Sequence, residues 1–101
     1  MSFTRINQDQ ALALMTEQGA VVVDIRDPVS YAAGHISRSV HLDNNSVQNF
    51  LETSDRAVPL IVCCYHGNSS QGAADFFSQQ GFNACYSLDG GFTGWQRAGL
   101  A

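Results

Sequence analysis

Two adjacent cysteines, Cys63 and Cys64, close the apolar run in "IVCCYHGNSSQGAA" (residues 61–74). Tyr65, His66, Gly67, Asn68, Ser69 and Ser70 follow as a polar turn, and then a helical pattern begins. Gly67 and Asn68 tolerate the positive φ that a tight cradle demands. Consecutive backbone N–H groups turned inward at a helix start make an anion-binding nest. A thiolate is an anion that such a nest holds. The same field lowers a cysteine pKa from about 8.5 toward neutrality. A strand, loop and helix in this order therefore supply a nucleophile together with its activation.

Adjacent residues on a strand point to opposite faces. Cys63 lies one residue deeper, behind Leu60, Ile61 and Val62, where a free cysteine acts as a small buried hydrophobe. Cys64 is the last residue before the loop, with its sulfur expected at the centre of the amide cradle. It is the candidate nucleophile. Cys85, inside "NACYSL", reads as core. A redox switch between Cys63 and Cys64 is disfavoured, because a disulfide between sequence neighbours is strained. Three cysteines cannot complete a disulfide framework. The three histidines and three cysteines lack the paired spacing of a zinc site, so no metal is expected.

The elements that must position Cys64 alternate between helix and strand patterns. Asn7 is the expected N-cap of a helix over residues 8–18, with Ala11, Leu14 and Met15 on one face and Gly19 as its stop. "AVVVDI" and "LIVCC" are short β-branched runs of strands buried on both faces, and "NACYSL" is a third strand. "SVHL" is a weaker strand candidate. "VSYAAG" reads as a brief helical turn closed by Gly34. Asn45 or Ser46 is placed to cap a helix carrying Val47, Phe50 and Leu51. Residues 70–80 form another, with Ala73, Phe76, Phe77 and Gln80 near one face, and "FTGWQRAG" a last short one. Such alternation predicts an α/β fold with a central, mainly parallel sheet flanked by helices, in one domain over residues 1–101. Sites in such sheets lie beyond the carboxyl ends of the strands, where "DIRDP" and "CCYHGNSS" both fall.

Composition narrows the function. The net charge is −4, with five arginines and no lysine, so no basic cluster exists for nucleic acid or an anionic membrane. An anionic small molecule would need local partners: an arginine, a histidine or backbone amides. No segment approaches the roughly 20 apolar residues of a membrane helix. "MSFTRINQDQ" lacks a signal peptide's apolar run, so a cytoplasmic, reduced protein is expected.

Three segments together resemble the rhodanese family of sulfurtransferases, along essentially the whole chain. "VVVDIRDPVSYAAGHI" (residues 21–36) is similar to the family's N-terminal signature, and "LDGGFTGWQRAG" (residues 88–99) to its C-terminal one; they flank the cysteine loop. The resemblance implies a rhodanese-like fold and a thiosulfate sulfurtransferase working through a Cys64 persulfide. Tyr65, His66, Gly67, Asn68, Ser69 and Ser70 would contact substrate, and no cofactor would be needed. The implied acceptors are cyanide in an assay and a small thiol or a dithiol such as thioredoxin in the cell. The alternative is a persulfide relay or interaction module fed by a protein donor.

Many members of this family carry arginine or lysine at the fifth position after the cysteine, where this chain has Ser69. Related phosphatases need arginine at the sixth position, where Ser70 stands. Thiosulfate would then rely on amides, hydroxyls and His66, and weak affinity is expected. Asp24, Arg26 and Asp27 read as a cluster tying loops together, His35 as structural, and Trp95 as packing for the last helix.

Overall fold

The computed structural model describes residues 2–100. In chain order the elements are β1 (Thr4–Ile6), α1 (Gln8–Gln18), β2 (Val21–Asp24), α2 (Pro28–Ala33) and β3 (Val40–His41). They continue as α3 (Val47–Thr53), β4 (Leu60–Cys63), α4 (Ser69–Gln79), β5 (Cys85–Leu88) and α5 (Gly91–Arg97). The five strands form one sheet in the order β1-β5-β4-β2-β3, and every pairing is parallel. Central β4 is buried at all four positions. That burial is why its sequence is continuously apolar rather than alternating.

Strand alternation divides the core in two. Val22, Ile61, Cys63 and Leu88 face one side, where Ala11 of α1 and Phe92 and Trp95 of α5 cover them. Val23, Leu60, Val62 and Cys85 face the other, under Ala74 and Phe77 of α4, with Phe50 of α3 packed alongside. The expected separation of neighbouring cysteines follows directly: Cys63 belongs to the α1/α5 side, and Cys64 is in phase with Leu60 and Val62.

Asn7 caps α1 as expected: its Oδ1 accepts from Gln10 N at 2.8 Å, and the Gln10 side chain accepts from Asn7 N. Three details depart from the sequence reading. The edge strand β1 was not expected; it pairs with β5 through Thr4, Arg5 and Ile6. Ser46 stands at the head of α3, but its hydroxyl caps nothing there; Asp43 instead accepts from Asn45 N and Ser46 N. The buried stripe of α4 is Ser70, Ala74 and Phe77, leaving Phe76 at 41% exposure and Gln80 beyond the helix. Among the described residues no helix is long and apolar enough to cross a membrane.

Candidate active site

β4 ends at Cys63, and the next residue begins the turn that leads into α4. Cys64 is 2% exposed. Its Sγ accepts the N–H of Gly67 and the N–H of Ser70, each at 3.2 Å. Burial pushes the Cys64 thiol up, but four donors outweigh it: the Ser70 hydroxyl and the backbone N–H groups of Ser70, Gly67 and His66. The thiol is held below its ordinary range. Cys63 shows the contrast. Burial, with Asp24 nearby, pushes its thiol up to about 12. Cys85 is also raised by burial, and all three cysteines are free.

The loop residues divide by what they reach. Gly67 has φ +93, and a Cβ there would lie 2.9 Å from Gly90 N and 3.1 Å from Leu88 O, so the turn admits only glycine. Asn68 does not share that conformation; at φ −92 it is an ordinary right-handed residue heading α4, with no side-chain cap. Ser70 is fully buried, and its hydroxyl lies 2.7 Å from that of Ser87 on β5. Either hydroxyl can donate in that bond. The side chains of Tyr65, His66, Asn68 and Ser69 belong to exposed residues around this buried centre.

Tyr65 forms one wall. Its hydroxyl donates to Asp27 Oδ2 and accepts Asp27 N–H at 3.0 Å. Asp27 caps α2 through Ser30 N at 2.8 Å. Its carboxyl is held well below the usual range, first by the Tyr65 hydroxyl and then by Ser30. Asp24 and Arg26 pair underneath, fully and 94% out of solvent by their 0% and 6% exposures. Arg26 Nη2 donates to Asp24 at 2.8 Å and to Gly34 O at 2.7 Å, and its guanidinium lies 4.3 Å over the Phe92 ring. Asp24, Arg26 and Asp27 thus tie loops together, in line with the sequence reading. His35 stacks on Tyr31 at 3.8 Å, and Trp95 is buried against the core.

Sequence reasoning missed Ser87 and Gln71. A serine at a buried position of "CYSL" was the available signal for Ser87. Gln71 Nε2 donates to Gly67 O at 2.9 Å, and nothing in its residue type announces that bond.

The rhodanese-like domain family matches residues 7–98. This chain belongs to the rhodanese family. It is 60% identical over 94 residues to a Pseudomonas fluorescens protein named thiosulfate sulfurtransferase GlpE, spanning 93% of this chain and 85% of that protein. A Pseudomonas entomophila protein of the same name is 58% identical over the same shares. The loop "CYHGNSS" resembles that of the small bacterial thiosulfate sulfurtransferase of the glycerol phosphate regulon, in keeping with these relatives. A solved rhodanese-related protein from Thermoplasma volcanium superposes with a TM-score of 0.79 at 27% identity, over 98% of this chain and 96% of that one. In this rhodanese the loop carries no arginine or lysine, and the buried Arg26 is committed to Asp24.

Proposed function

We propose that this rhodanese is a thiosulfate sulfurtransferase that carries sulfur as a persulfide on Cys64. The observation that carries the reading is the pair of 3.2 Å amide contacts on a sulfur held below its ordinary pKa. Cys64 thiolate attacks the outer sulfur of thiosulfate. The bond between the two thiosulfate sulfurs breaks, and its electron pair leaves with sulfite. The resulting Cys64 persulfide keeps one negative charge beside fixed N–H donors, which need no reorganisation as the charge moves outward. A thiophilic acceptor then attacks the outer sulfur and restores the Cys64 thiolate. Cyanide would leave as thiocyanate; a thiol of a thioredoxin-like dithiol would become a persulfide that its partner thiol resolves to a disulfide and sulfide. Tyr65, His66, Asn68 and Ser69 are assigned to the rim that thiosulfate meets, and Gly67 and Ser70 to the cradle.

The test is intact mass after incubating the reduced protein with thiosulfate. The expected result is a gain of one sulfur atom, absent in Cys64→Ser and retained in Cys63→Ser. No gain in the parent protein would count against this reading. A second reading, a relay fed by a persulfidated protein donor, draws on a loop without arginine or lysine. It predicts loading from such a donor but none from thiosulfate.

A further inference from the structure

The amides of the cysteine loop do not turn inward on their own account. In a planar trans peptide the C=O of one residue and the N–H of the next point in opposite directions. Whatever holds the carbonyl therefore aims the amide. The carbonyl of Cys64 accepts Phe92 N–H at 2.8 Å, and the carbonyl of Tyr65 accepts Thr93 N–H at 3.1 Å. Both donors lie in the first turn of α5, where N–H groups have no partner inside the helix. With Tyr65 O fixed against α5, the His66 N–H of the same peptide faces away from α5 and helps hold the Cys64 thiol down, and the next amide, Gly67 N–H, reaches the sulfur at 3.2 Å. Gln71 holds Gly67 O at 2.9 Å, so the Gly67 N–H lies between two anchored carbonyls, Tyr65 O before it and Gly67 O after it.

Contact this close requires a missing side chain. A Cβ on Gly91 would sit 2.5 Å from Cys64 O and 2.6 Å from both Tyr65 C and Tyr65 O, with φ at +57 besides. All three contacts are with backbone, which cannot swing aside as a flexible side chain does. We infer that Gly91, with the Phe92 and Thr93 amides and Gln71, positions the cradle by gripping carbonyls on either side of the Gly67 N–H, so that it and the His66 N–H face Cys64. This assigns the second glycine of "LDGGFTGW" a role in the reactivity of a cysteine in another segment. The inference rests on Cys64 being the reactive thiol of the proposed transfer. These are positioning residues; none touches the sulfur through its side chain.

The experiment reads the thiol without any sulfur donor. The rate of Cys64 alkylation by iodoacetamide is followed against pH, with the modified residue located by peptide mass. In Gly91→Ala the midpoint is expected to rise by about one pH unit, which slows alkylation about tenfold on the acid side. Gln71→Met keeps length and loses the donor; its midpoint should rise by about half a unit, about a threefold slowing. Gly72→Ala is the control, since a Cβ there meets nothing within 4 Å, and its midpoint should stay at the parent value. Folded variants at Gly91 and Gln71 with the parent midpoint would overturn the inference, as would an equal shift in Gly72→Ala. If Gly91→Ala does not fold, Gln71→Met decides alone by the same rule. Midpoints that shift in a protein unable to take sulfur from thiosulfate would retain the grip and remove the proposed function. Intact transfer with unmoved midpoints would do the reverse.

Discussion

The Ser70 hydroxyl bonds that of Ser87 and helps hold the Cys64 thiol down, and both serines are fully buried. A hydrogen bond to a charged group contributes about 1.5–3 kcal/mol, and one pH unit corresponds to about 1.4 kcal/mol. Removing a donor from the thiolate favours the neutral thiol. Ser70→Ala is therefore expected to raise the pH midpoint of Cys64 alkylation by about one unit. Ser87→Ala leaves Ser70 able to donate and should raise it by less. Thiolate is lost as pH falls through the midpoint, so both variants lose transfer activity on the acid side first. The pH profile of single-turnover sulfur loading checks this. Cys63 is the opposite case, a buried thiol pushed up to about 12. Cys63→Ala is expected to keep sulfur loading and to lose about 1 kcal/mol of stability by chemical denaturation, from lost burial of one small side chain.

Between β2 and α2 the chain places an ion pair where water does not reach. Breaking a buried pair from one side strands the other charge and costs about 3–5 kcal/mol. Arg26→Leu should show that loss in denaturant melts, because Asp24 Oδ1 and Oδ2 both receive Arg26 donors. Adding Asp24→Asn should recover part of it, since no charge is then left buried. Helices and inner strands of this fold were legible because burial on two sides writes itself as β-branched runs. The edges were not. Thr4 and Arg5 of β1 are exposed, so three residues with one apolar member carry no periodic signal; only β5 makes them a strand. In α4 the phase was misread because a serine leads the buried stripe: Ser70 turns inward to bond Ser87, and Ala74 and Phe77 follow it while Phe76 faces outward.

Seen whole, the molecule is an acidic body of net charge −4 asked to admit a dianion. The rim adds the Asp27 carboxylate, held ionised by Tyr65 and Ser30, while the loop brings no arginine or lysine to offset it. The Michaelis constant for thiosulfate is expected in the millimolar range, and a low micromolar value would contradict this electrostatic account. Salt screens the repulsion, with a Debye length falling from about 30 Å at 0.01 M to about 8 Å at 0.15 M. Steady-state kinetics with cyanide should show that constant falling by about twofold or more over this range. The candidate nucleophile and its glycine were readable from the strand-end cysteine and the turn after it. The support behind them was not, because Gly91 and Gln71 act across folded space on carbonyls, and a carbonyl has no letter in a sequence. The grip of Phe92 and Thr93 on the loop also sets an order of events during synthesis. Cys64 emerges from the ribosome well before the segment that holds its carbonyls. Until residues 92 and 93 have been made the loop lacks these two donors, so the proposed reactivity of Cys64 waits on a segment made after it.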